Sequence, residues 1–203
     1  MARVADPQLA DRRRRQIMDA AIGCFRRRGF HQATMQEICA EAQISAGALY
    51  RYFRSKAEII GAIAEEHRGE ADEAFLRAAE KVGFLPAIGA AGRDFFVKCA
   101  GGDGALVTDI MSEAMRDEDL AALLRSTDVR SVQLFTKAIA SAQQRGEVDR
   151  KLDPEIAANT LFAAIEGIGL RRAFLRDADA EKAVAQFCDL AERYLSPRPE
   201  IGP

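Results

Sequence analysis

The sequence predicts an all-α protein: a small three-helix N-terminal domain carrying a helix-turn-helix, followed by a larger helical domain. Three observations carry that expectation. Apolar residues recur at three- and four-residue spacing in segment after segment. Helix-start signals recur too, as Thr34 with Glu37, Ser55 with Glu58, and Asp153 before Pro154. Composition agrees, since Trp is absent, only 3 Tyr occur among 203 residues, and Ala is abundant. A 48% hydrophobic content is ample for a core, and 30% charged residues suit a water-facing surface.

In chain order, residues 1–8 carry little apolar content and are expected to lack order. Arg12 to Arg15 lead into a helix with the stripe Ile17, Met18, Ala21, Ile22 and Phe25, which Gly29 should end. Four cations at a helix start oppose the local dipole, unless phosphates arrive nearby. Thr34 and Glu37 form a capping box for a short helix bearing Met35, Ile38, Cys39 and Ala42. Gln43-Ile44 leaves room only for a tight turn. Ser45 then caps a second short helix whose Leu49 and Phe53 face inward, while Gly47, Tyr50, Arg51 and Arg54 face outward. Ser55 with Glu58 starts a long helix reaching about Lys81. Further helices are expected over 84–100, 106–115, 118–145 (with a break near Ser126-Thr127), 155–175 and 180–195. Gly101 to Gly104 read as a mobile loop. The division follows: 1–60 as one domain, 61–203 as the other.

Two short helices joined by a tight turn, the second with exposed Tyr and Arg, are a helix-turn-helix. Charge supports a nucleic-acid partner despite a net charge of −2. Residues 1–60 hold 11 Lys and Arg against 6 Asp and Glu, leaving +5, while the remainder is acidic. With Phe25, Gly29 and Phe30 upstream, the run from Thr34 to Ile60, including Leu49-Tyr50-x-Tyr52-Phe53-x-x-Lys56, resembles the DNA-binding domain of the TetR family of transcriptional regulators. The resemblance covers residues 11–60. It implies that Thr34, Tyr50, Tyr52 and Lys56 clamp phosphates of double-stranded DNA. Gln36, Ala46, Gly47 and Arg51 then lie at base edges or their borders, and the N-cap Ser45 is counted with the DNA-binding residues. Arg51 suits guanine and Gln36 adenine, or either touches only phosphate.

The same resemblance implies a homodimer on a palindromic operator, a small-molecule effector, and a pairing of the last two helices through Leu161, Ala164, Ile168, Val184, Phe187 and Ala191. Phe75, Phe95, Phe96, Met111, Met115, Phe135 and Phe162 either line an effector pocket or fill the core. His67 and Glu166, polar on mainly apolar faces, need partners, which a ligand or an internal hydrogen bond would supply. The expected function is a ligand-responsive repressor; an architectural helix-turn-helix protein without a ligand is the alternative. No nucleophile–His motif, glycine-rich nucleotide fingerprint or metal-ligand spacing is present, so an enzyme, a metal site and a cofactor are not expected. Cys24, Cys39, Cys99 and Cys188 lack any C-x-x-C spacing and read as free thiols of a reducing cytoplasm. No stretch is apolar enough to cross a bilayer.

Overall fold

A computed structural model describes residues 7–177 and 179–197 of the chain. Those residues form helices joined by short turns, with no strand among them. In order they are α1 (Pro7–Gln32), α2 (Met35–Glu41), α3 (Ala46–Tyr50), α4 (Lys56–Val82), α5 (Phe84–Lys98), a π-helical turn (Cys99–Asp103), α6 (Gly104–Ala114), α7 (Glu118–Gln144), α8 (Pro154–Phe174) and α9 (Ala180–Leu195).

Several sequence expectations need correction. The disorder expected over residues 1–8 falls partly on residues 1–6, outside the described residues, while Pro7 and Gln8 belong to α1. Because α1 begins at Pro7, Arg12 to Arg15 lie in its second and third turns. The dipole there is weak, so that conflict disappears. Gly29 does break α1, with φ 76° and ψ 159°, and one more turn follows it. Gly101 to Gly104 do not form a loop. Gly102 takes φ 111° inside the π-helical turn that joins α5 to α6. Finally, α7 passes Ser126 and Thr127 unbroken.

The chain divides into two compact units, and the division falls within α4, within α6 and within α7. Unit one runs up to Glu66 and includes Leu106–Arg125; unit two takes His67–Ala105 and the residues from Ser126 on. A cut at residue 60 is therefore not the same object as the compact unit. The core of unit one is Ile17, Cys24 and Phe25 of α1, Ile38 of α2, Leu49 of α3, then Phe53, Ile59, Ile60 and Leu120. Leu49 and Phe53 point inward as their spacing predicts, each burial contributing about 1.5–3 kcal/mol. This packing is what a two-turn helix such as α3 requires to exist in water.

In unit two an aromatic column runs through the core. Phe75 stacks on Phe135 at 4.1 Å between centroids, and Phe162 follows at 4.8 Å. Glycines bring helices close together: a Cβ on Gly104 would lie 2.6 Å from Ala173 Cβ, and one on Gly89 would lie 2.9 Å from Cys188 Sγ. Helix α8 buries Ala157, Ala158, Leu161, Ile165 and Gly169, yet it also exposes Ile156 and Phe174, and its C-cap Leu175 is exposed as well. Its apolar residues thus occupy more than one side.

Candidate nucleic-acid interface

The geometry of unit one begins with its caps. Thr34 Oγ1 accepts from the Glu37 N–H at 3.2 Å, and the Glu37 carboxylate accepts from the Thr34 N–H at 3.0 Å. That backbone hydrogen bond holds the Glu37 carboxyl below its ordinary value, with Arg28 adding an ion pair at 3.1 Å. Helix α2 closes through Gln43 in the left-handed region, φ 52°. There the Gln43 N–H donates to Ala40 O and the Ile44 N–H to Cys39 O, at 3.1 and 3.0 Å. From α1, Gln16 Nε2 donates to Ala42 O at 2.7 Å and ties that helix to the turn. Ser45 Oγ then accepts from the Ala48 N–H at 3.2 Å and starts α3.

This framework presents one polar face. Thr34, Gln36, Ser45, Ala46, Gly47, Tyr50 and Arg51 are exposed, whereas Tyr52 and Lys56 are half-buried. No heavy atom lies within 4 Å of a Cβ built on Gly47, so the α3 surface is open at that point. Arg51 leans on the Tyr52 ring at 5.3 Å and donates to its phenolic oxygen at 3.3 Å. Capping of the next helix departs from the expected box. Ser55 Oγ accepts from the Glu58 N–H, but the Glu58 carboxylate reaches one residue further back, to the Arg54 N–H at 2.7 Å.

Lys56 differs most from a free surface cation. Its Nζ donates to the Phe30 and His31 carbonyls at 2.7 and 2.9 Å and sits 4.9 Å from the Phe30 ring centroid. Burial lowers its ammonium from the ordinary lysine value, and Glu113 partly offsets that. Two of its three donors thus hold the end of α1, leaving one for an anion. Sequence reading missed this bridge, along with the contacts of Gln16 and Arg14, because each joins residues at least 25 positions apart.

The other expected sites hold together less well. Phe75, Phe135 and Phe162 fill the column described above, while Phe96 packs edge-on against Phe95 and Phe187. Glu166 is half-buried, 3.9 Å from Arg68, whose guanidinium lies over the Phe162 ring at 5.1 Å. Burial raises the Glu166 carboxyl above its usual value, and Arg68 opposes the rise. His67 is exposed, so its position does not require a partner within the protein. Met111 and Met115 are exposed residues of unit one and do not join the aromatic column. Of the dimer candidates, Leu161, Phe187 and Ala191 are buried in the unit-two core, and only Ala164, Ile168 and Val184 retain partial exposure. A shallow groove of about 500 Å³ runs along α8 past Asp153, Ile156, Thr160 and Ala163, and a crevice of about 10 Å³ adjoins Phe96, Gly169 and Arg172. Among the described residues no His, Cys, Asp or Glu cluster suits a metal ion, and no helix is long and apolar enough to cross a membrane.

Comparison with known proteins agrees with this geometry. Residues 17–63 match the model for bacterial regulatory proteins of the tetR family. Residues 104–196 match the model for the C-terminal part of BetI-type transcriptional repressors. The HTH-type transcriptional regulator UidR of Escherichia coli (strain K12) is 30% identical over 175 residues, covering 83% of this chain and 82% of its own. The solved structure of Salmonella enterica GusR superposes with a TM-score of 0.78 at 28% identity, over 90% of this chain and 95% of that one. A SmeT–triclosan complex shares the fold at a TM-score of 0.71 and 22% identity, over 94% of this chain and 98% of that one.

Proposed function

Because this chain belongs to the tetR family of bacterial regulatory proteins and is a transcriptional regulator, we propose that it is a repressor binding a palindromic operator as a homodimer inside the cell. The observation that carries the reading is the open face of α3, where Gly47, Tyr50 and Arg51 are held outward by the burial of Leu49 and Phe53. Tyr50, Tyr52, Thr34 and the remaining donor of Lys56 contact phosphates. Gln36, Ser45, Ala46, Gly47 and Arg51 line the base edges. Arg51 must leave its stack on Tyr52 to read guanine.

Dimerisation uses the outer stripe of α8, Ile156, Ala163, Gly167 and Phe174, which is exposed in the protomer. An apolar or amphipathic effector enters unit two beside Phe96, Phe162 and Glu166; that a protein of the same fold has been solved as a SmeT–triclosan complex supports a small apolar ligand. Helix α4 carries the response. It is unbroken from Lys56 to Val82, so displacing its Phe75 end tilts its Lys56 end. Half-sites one DNA turn apart, roughly 34–36 Å, tolerate little tilt. A hundredfold loss of operator affinity requires a differential effector affinity of only about 2.7 kcal/mol. The regulatory nature of the relatives weighs against a purely architectural role.

Genome-wide mapping of bound DNA, followed by operator-release assays with hydrophobic compounds, tests the reading. A few palindromic sites and a releasing compound are expected. Uniform coverage of the genome without sequence preference would refute the repressor.

A further inference from the structure

The four-arginine run of α1 is not uniform in the fold. Arg15 Nη2 pairs with Glu66 Oε1 of α4 at 2.7 Å, so its charge is compensated. Arg12, three residues earlier, shares that side of the helix. Arg13 and Arg14 project differently. Arg13 Nη1 donates to the neutral Gln16 Oε1 at 2.7 Å, and Gln16 in turn holds the Ala42 carbonyl at the end of α2. Arg14 lies over the Phe53 ring at 4.5 Å and donates to Tyr52 O at 3.5 Å, directly past the end of α3. Both guanidinium groups are exposed, and neither meets a carboxylate among the described residues. Arg51 and Arg14 therefore bracket Tyr52, one at its phenol and one at its carbonyl.

We propose that Arg13 and Arg14 form a second phosphate-binding patch on α1, next to the recognition helix, while Arg15 serves only the fold. The inference rests on the DNA-binding reading above and extends it to a surface outside the helix-turn-helix. Two observations support a polyanion as the partner. Uncompensated guanidinium groups suit phosphate oxygens in forked geometry. Packing on Phe53 and hydrogen bonding to a backbone carbonyl also restrict Arg14 beforehand, which lowers the entropy lost on contact. Because the patch reads no base edge, it raises affinity for all sequences alike.

The test is the salt dependence of binding by the full chain to a mixed-sequence DNA duplex, comparing Arg13→Gln, Arg14→Gln and Arg15→Gln. All three change net charge equally, so a diffuse field effect would shift them together. Arg13→Gln and Arg14→Gln should each lower the slope of log K against log salt by about 0.9 per bound protomer, and Arg15→Gln should leave it unchanged. Arg14→Lys, which keeps the charge, should retain the wild-type slope even if its melting temperature falls. Equal slopes in all three Gln variants, or a lost slope in a folded Arg14→Lys, would overturn the patch alone. Failure of the wild-type chain to bind any duplex at low salt would overturn the DNA-binding reading, and the patch with it.

Discussion

At the scale of single residues, the distinction that matters is between charges that are spent and charges that are free. Lys56 is partly spent on the Phe30 and His31 carbonyls. Lys56→Ala should therefore weaken DNA binding and also destabilise the fold by about 1.5–3 kcal/mol, the range for hydrogen bonds to charged groups. Tyr50 is exposed and isolated, so Tyr50→Phe should weaken binding without moving the melting temperature. Equal melting temperatures for both variants would remove Lys56 from its structural role. Glu166 behaves oppositely to a surface acid. Burial raises its value in the fold, so its protonated form is the favoured one. Its stabilising contribution is complete below the ordinary carboxylate range and is lost as pH rises through the raised value. Glu166→Gln mimics the protonated acid, and Arg68 keeps Asp128 as a partner at 3.4 Å. The variant should melt above wild type at pH 7, with the gap closing towards pH 4. A constant gap across that range would disprove the assignment. Thr34, Ser45 and Glu37 were legible in the sequence because capping is local chemistry at fixed spacing. The exposure of His67 was not, because a helical stripe does not say where the neighbouring helices end.

At the scale of elements, nearly every helix was foreseen, and α9 falls on the expected residues 180–195. Periodicity and caps suffice for that. The misplaced loop has its cause in glycine. Gly101, Gly102 and Gly104 signalled a loop, yet Gly104 is present because Ala173 approaches too closely for a side chain, a tertiary fact invisible along the chain. Conversely, the turn between α2 and α3 needs a left-handed residue and lacks a glycine: Gln43 holds φ 52° there. Such a conformation costs an ordinary residue roughly 1–2 kcal/mol. Gln43→Gly should stabilise unit one by about 0.5–1 kcal/mol, after allowing for glycine's larger entropy loss. Chemical denaturation followed in the DNA-binding unit measures it, and a destabilised variant would mean that the Gln43 side chain makes a compensating contact.

At the scale of the whole molecule, charge distribution was legible in the sequence where packing was not. The basic bias of residues 1–60 follows from composition alone and supports the proposed nucleic-acid face. Of the expected dimer residues, Leu161 of α8 and Phe187 and Ala191 of α9 lie in the protomer's own core, because periodicity marks a helix's apolar face without saying whether its own chain or a copy covers it. Phe187 is wholly buried, so Phe187→Asp should unfold the protomer. Ala163→Arg, on the outer stripe, should give a folded monomer by sedimentation, with operator affinity lost. A folded dimer from Ala163→Arg would move the interface elsewhere. The core of unit one closes on Leu120, with Leu106, Ile110 and Leu124 packed alongside, all supplied some forty or more residues after α4 begins. The DNA-binding end therefore leaves the ribosome well before α7 but cannot finish its core until α7 has begun to emerge. During that interval the core that includes Ile60 and Ile63 remains incomplete, which is when a nascent chain is most exposed to chaperones and to aggregation.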